Sequence, residues 1–282
     1  MKSFAHTRSL ANTSIIQKAL VQLLRSENEQ TQNRALNIIL AFPHIEPLHD
    51  LLSAFPALLQ PGNSGEIIIK ACETLGKIGE KAATNEGIIA LLNALQDQDS
   101  SVRRGACKTL GKIGEKAATN EGIIALLNAV QDQDSVVREG ACKTLGNIGE
   151  KVATDEVITA LLNALQDQDW SVRWGACEAL GCISEKAATN EVIIALLNAL
   201  QDQVWSVRRI ACATLGKIGE KAATKEVIIA LLNALQNQDS RVCEIACESL
   251  GNIGEKAPTS IVITGLVNAI HDGRMNMNGL DV

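Results

Sequence analysis

From residue 85 onward the apolar positions repeat with a period of 35 residues. In one period Ile88, Ile89, Leu91, Leu92 and Leu95 form a broad apolar stripe at helical spacing. That stripe predicts a first helix from about Asn85 to Gln96. The polar run Asp97-Gln98-Asp99 breaks the pattern. Val102, Ala106, Cys107, Leu110 and Ile113 then share one face of a second helix. Thr84 is suited to cap the first helix, and Asp99 or Ser100 the second. Gly114 suits a helix C-terminus that needs positive φ, and Lys112 and Lys116 lie near the negative end of the helix dipole. The stretch from Glu115 to Thr119 leads into the next copy.

The copies are close to identical. Residues 85–119 and 120–154 agree at 30 of 35 positions. Cys72, Cys107, Cys142, Cys177, Cys212 and Cys247 follow the same spacing, as do Val102, Val137, Val172, Val207 and Val242. A period of this length predicts a solenoid. One two-helix hairpin cannot bury both of its apolar faces, whereas stacked hairpins share a continuous core. The ends of the chain fit less well. Residues 14–42 follow the template loosely, through Ile15, Ile16, Ala19, Leu20 and Leu23, then Ala35, Leu36, Ile38 and Ile39. Pro43, Pro47, Pro56 and Pro61 interrupt the next stretch, where one irregular helix is expected from about His49 to Gln60. The expected organisation is a degenerate helical cap over 1–62, a repeat array over 63–270 and a flexible polar tail over 271–282. The array ends on a first-type helix, Ile261 to Ile270, with no second helix after it, which suggests a fragment or variant of a longer protein.

The segment from Asp99 to Gly114 carries an Asp turn, Val102-Arg103, the small pair Ala106-Cys107 and the ending Leu110-Gly111-Lys112-Ile113-Gly114. It resembles the short HEAT-like repeat, the type also found in phycobilisome bilin lyases. The match recurs at 134–149, 169–184, 204–219 and 239–254, and partially at 64–79. Ser184 stands in place of the capping glycine in one copy, and Cys243 in place of the arginine in another. The resemblance implies an all-α fold, a right-handed α-α superhelix of helical hairpins. It also implies that Arg103, Arg138, Arg173 and Arg208 pair with turn aspartates such as Asp97, Asp132, Asp167 and Asp202 of the same or the adjacent repeat.

Composition refines this picture. Aromatic residues make up 2% of the chain against 46% apolar residues, so the core must consist of Ala, Leu, Ile, Val and Cys. The net charge of −6 argues against nucleic acid as a partner. The five copies starting at 85, 120, 155, 190 and 225 carry +1, −2, −4, +1 and −2, which leaves no continuous basic groove. No apolar run is long enough to span a bilayer. The periodic cysteines read as small buried hydrophobes, and reduced thiols fit a cytoplasmic location. Cys182 and Cys243 fall outside the period.

Histidine is scarce: His6, His44, His49 and His271, none within the regular copies. Deoxyhypusine hydroxylase, an enzyme built from HEAT-like hairpins, holds two irons with His-Glu pairs, and no His-Glu pair occurs here. No catalytic residue, metal or cofactor is expected.

The differences among the copies concentrate on one face of the second helix, at 101, 104, 105, 108 and 112 and their equivalents. By the family resemblance, this face lines the concave surface that holds a partner. The candidate contact residues are Arg104, Lys108, Glu139, Lys143, Trp170, Ser171, Trp174, Glu178, Trp205 and Arg209. All three tryptophans lie on this face: Trp170 and Trp174 one turn apart, Trp205 one period after Trp170. They should form one cluster, and exposed tryptophan is a common anchor at interfaces. The expected function is a monomeric scaffold or adaptor binding a protein or peptide. The alternatives are an accessory or lyase-type protein with a bilin-like ligand, and nucleic-acid binding.

Overall fold

The computed structural model describes residues 15–42, 49–183, 186–254 and 267. Among the described residues the chain is helical and contains no β-strand. It divides into two compact units, Met1–Ile148 and Gly149–Val282.

The first unit contains a helix over 15–24 (α1), then α2 (Glu29–Ala41), α3 (His49–Leu52), α4 (Phe55–Leu58), α5 (Gly65–Ile78), α6 (Asn85–Ala94), α7 (Ser100–Ile113), α8 (Asn120–Ala129) and α9 (Ser135–Ile148). The second contains α10 (Asp155–Ala164), α11 (Trp170–Ile183), α12 (Asn190–Ala199), α13 (Trp205–Ile218), α14 (Lys225–Ala234) and α15 (Ser240–Gly254). Each long second helix packs on the next: α5 on α7 and α7 on α9 in the first unit, α11 on α13 and α13 on α15 in the second. The shorter first helices α6, α8, α10, α12 and α14 pack each on its own second helix.

The caps sit where the sequence puts them. The Thr84 hydroxyl accepts from the Gly87 N–H at 3.0 Å, and Asp99 caps α7 by accepting from the Ser101 N–H at 2.8 Å. Gly114 ends α7 at φ +71°, a conformation that side-chain-bearing residues avoid, and its N–H bonds back to the Leu110 carbonyl. The connection that follows is itself ordered. Gly114–Ala117 is one turn of 3-10 helix that buries Ala117, and Gly79–Ala82 and Gly219–Ala222 do the same for Ala82 and Ala222.

Three expectations need correction. Ile89 is outside the core: it is 59% exposed, as are Ile124 and Ile194 at 60% and 59%. The first helix ends two residues earlier than the apolar run suggests and buries Gly87, Ile88, Ala90, Leu91 and Ala94, so Ile89 on the other side of the stripe is left uncovered. In α1 the buried face is Gln17, Leu20, Val21 and Leu24, while Ile15, Ile16 and Leu23 are exposed. The buried set keeps strict helical spacing, which the scattered isoleucines mask. The proline-interrupted stretch holds two short helices rather than one. Ser53 and Ala54 separate them, and Pro56 stands in the first turn of α4, where a missing N–H costs nothing. The final half-repeat at 261–270, the tail and Ser184 lie outside the described residues, apart from Val267.

Candidate functional site

Two polar ladders hold successive second helices in register, and this register carries the candidate site. The first is made by hydroxyls. Thr109 donates to the Cys72 carbonyl of the preceding second helix at 2.8 Å, and Thr144 to that of Cys107 at the same distance. In the second unit, Thr214 serves Cys177 and Ser249 serves Cys212, again at 2.8 Å. Each hydroxyl is buried, so the bond joins two helices out of contact with water.

The second ladder is arginine and aspartate. The Arg103 guanidinium grips Asp132 of the next repeat with two bonds, Nε to Oδ2 at 2.7 Å and Nη2 to Oδ1 at 2.8 Å. Its remaining nitrogen, Nη1, donates to the carbonyls of Asp97 and Gln98 in its own repeat. Arg173 and Asp202 repeat the arrangement at 2.6 and 3.0 Å. These arginines are therefore structural, and the partner is the adjacent repeat's aspartate. Burial alone would raise the Asp132 carboxyl. The bonds from Arg103 and the Asp134 N–H, with the charges of Arg103 and Arg138, outweigh it and hold the carboxyl below its ordinary value. Asp202 is lowered by the same balance through Arg173 and the Val204 N–H.

The ladder weakens toward the C-terminal end. Asn237 stands where Asp132 and Asp202 stand, so Arg208 meets a neutral oxygen at 3.2 Å and its buried Nε has no partner. One repeat later Cys243 replaces the arginine. Its thiol lies 3.2 Å from the Asn237 carbonyl, the position that the guanidinium reaches in other copies.

The periodic cysteines behave as buried hydrophobes. All eight cysteines are free thiols. Burial pushes Cys72, Cys107 and Cys212 up to about 12, and Cys177 further still. Cys182 is exposed and Cys243 is buried. Among the described residues no group of three His, Cys, Asp or Glu side chains could hold a metal ion, and no helix is long and apolar enough to cross a membrane.

Along the face of these second helices where the copies differ, the first unit opens a groove of about 650 Å³ across α5, α7 and α9. It gathers Arg104, Lys108 and Glu139, together with Ile69, Glu73, Lys77, Lys112 and Val136. Lys143 stands one turn beyond Glu139 and pairs with it at 2.5 Å. The residues that sequence reasoning passed over lie in plain register. Ile69, Glu73 and Lys77 are one period before Arg104, Lys108 and Lys112. Extending the alignment into the partial copy at 64–79 identifies them.

The second unit carries the tryptophans. Trp170 opens α11 and is 48% exposed, Trp174 follows one turn later half-buried, and Glu178 follows it. Ser171 belongs to the capping turn: both its N–H and its hydroxyl donate to the Asp169 carboxylate at 2.9 Å. Trp205 opens α13, with Arg209 one turn on. Its ring is already engaged, because the Arg241 guanidinium lies 3.3 Å from the ring centre. Arg241 is tied in turn to Asp239 at 2.7 Å. The candidate residues thus fall into two sets, one in each unit.

Repeated hairpins joined by a buried Cys carbonyl ladder and an arginine clamp define a helical repeat protein of the α-solenoid class. The HEAT repeats family model matches residues 54–121, 88–164, 123–194, 158–228 and 193–274, and the chain belongs to that family. No curated protein matches the chain. Among solved structures it is similar to an engineered protein from the Northeast Structural Genomics Consortium, at 23% identity and TM-score 0.56, over 90% of this chain and 71% of that one. A second engineered protein from the consortium matches at 21% identity and TM-score 0.51, over 86% and 97%. Importin beta matches at 18% identity and TM-score 0.61, covering 89% of this chain and 38% of importin beta. These likenesses show the fold. HEAT repeats generally serve as scaffolds for protein interaction, and the solenoid is generally non-catalytic.

Proposed function

We propose that the chain is a non-catalytic scaffold that holds a protein or peptide on the concave face lined by its second helices. The observation that carries this reading is the distribution of difference. The copies share their core and most of their caps and clamps, and diverge chiefly on one face of those second helices. Trp170, 48% exposed, presents a large apolar surface on that face. On this reading the array over 63–270 supplies rigid area, the tryptophans anchor, and Arg209, Glu178 and the charged residues of the first unit set specificity. Free thiols in every periodic position suit the reducing cytoplasm.

The test is a pull-down from native lysate with the wild-type chain and the triple change Trp170→Ala, Trp174→Ala, Trp205→Ala, matched for helicity by circular dichroism. A partner retained by the first and lost by the second is expected, since removing one anchor costs about 2 kcal/mol or more. Equal capture by both removes the tryptophans from the site.

A further inference from the structure

We infer that the groove across α5, α7 and α9 takes an acidic, extended segment of the partner protein, with carboxylates at alternate residues. This rests on the reading that the second-helix face binds a partner, and it specifies what one part of that face binds.

Charge is the first support. Lys77, Arg104, Lys108 and Lys112 are all exposed in the groove, and none forms an ion pair with a described residue. Glu139, the acidic group on the α9 side, is already neutralised by Lys143 at 2.5 Å. Glu73 is the remaining free carboxylate of the lining. The groove therefore holds a positive excess within a chain of net charge −6. The helix dipole accounts for Lys77 and Lys112, in the last turns of α5 and α7, and leaves Arg104 and Lys108 without a structural duty. The arginine that clamps this repeat to the next is the neighbouring Arg103, already fully bonded.

Geometry is the second. Arg104, Lys108 and Lys112 follow one another at four-residue intervals along α7, a rise of about 6 Å per step. Every second side chain of an extended strand is about 6.7 Å apart. An extended segment lying along α7 therefore brings alternate carboxylates to successive cations. Lys112 is already laid into place: its Cδ lies 3.1 Å from where a Cβ on Gly76 would be. A larger residue at Gly76 would lift that stem off α5. Ile69 and Val136 form apolar walls on either side for the intervening side chains.

The same features argue for a protein segment over nucleic acid. The free cations lie on two helices, α5 and α7, and stop there. A phosphate track continuing beyond them meets an acidic chain, and the counterion release that drives such binding needs a longer basic surface. The second unit offers no duplicate: its residues equivalent to Arg104 and Lys108 are Trp174 and Glu178, then Arg209 and Ala213, then Glu244 and Glu248.

The test uses the full chain and a short fluorescein-labelled peptide alternating Glu and Ser, read by fluorescence anisotropy. Arg104→Glu/Lys108→Glu should weaken binding at least about tenfold, while Lys221→Glu, outside the groove, leaves it within about twofold. Arg104→Lys should retain most of the affinity because the charge remains. Both reversed side chains are exposed, so the variant should stay as helical as wild type by circular dichroism. Equal affinity for the groove variant and wild type overturns the inference. So does tighter binding of a single-stranded oligothymidylate that responds to the same two substitutions. Loss of the captured partner in the tryptophan variant, with peptide affinity unmoved by the groove reversal, sinks this inference and leaves the broader reading standing. Peptide affinity lost on groove reversal, with capture unaffected by the tryptophan change, supports the inference and moves the anchor away from the tryptophans.

Discussion

Gly216 faces Ser249 across the packed pair α13 and α15, where an added Cβ would stand 3.0 Å from the Ser249 Cα and 2.8 Å from its hydroxyl. Alanine in the middle of a helix normally stabilises by about 0.5–1 kcal/mol over glycine. Here backbone meets backbone, so Gly216→Ala should instead destabilise by about 1–3 kcal/mol in urea unfolding. Asn237→Asp tests the arginine ladder in the opposite direction. It restores a charged partner to Arg208, whose Nε is buried and unpartnered, and should stabilise by roughly 1 kcal/mol near neutral pH. Asp132 and Asp202 set the pH dependence. Their carboxyls are lowered from 3.8 in the folded chain, so the stabilisation they bring is complete above the ordinary carboxylate range. It is lost as pH falls through the lowered values, where the native state must take up protons at both clamps. Denaturation curves recorded from neutral to strongly acidic pH should show that loss, and Asp132→Asn should remove part of it.

At the scale of the helix, the two faces of each hairpin were unequally legible. The second helices read correctly because their apolar positions form one narrow face, and Val102, Ala106, Cys107, Leu110 and Ile113 are all buried. The first helices read too broadly. Ile88 and Ile89 are chemically identical, and only packing separates the 6% exposure of one from the 59% of the other. Ile89→Lys should therefore change stability by no more than about 0.5 kcal/mol, while Leu91→Ala, fully buried on the same helix, should cost 2–5 kcal/mol. Thiol chemistry divides in the same way. With Ellman's reagent under native conditions Cys182 should react fast, and the thiols of Cys72, Cys107, Cys177 and Cys212 only after unfolding, because burial keeps them protonated. The hydroxyl ladder could have been predicted, since Thr74, Thr109, Thr144 and Thr214 keep the period. Its role could not: a threonine that bonds a neighbouring helix looks no different in sequence from one facing solvent. The same holds for the candidate site. The variation among copies marks out the proposed positions, but the ion pair between Glu139 and Lys143, the bonds from Ser171 to the capping Asp169 carboxylate and the stacking of Arg241 on Trp205 depend on coordinates.

At the scale of the whole molecule, each kind of bond between repeats keeps its own direction. Arg103 reaches forward 29 residues to Asp132, and Arg173 reaches forward by the same interval to Asp202. Thr144 and Thr214 each reach back 37 residues to a cysteine carbonyl. A repeat that keeps both groups thus offers a plug on one side and a socket on the other. Removing residues 85–119 in frame joins Thr84 to Asn120, a junction the chain already contains at Thr119-Asn120. The shortened protein should fold with unchanged helical content per residue, read by circular dichroism. It would lose the cations of α7 and with them the acidic-segment site. Slippage between near-identical stretches of coding sequence could lengthen or shorten such a chain by whole repeats without opening a gap in its core, so each change in copy number would yield a folded variant whose binding repertoire, rather than its fold, is put to trial.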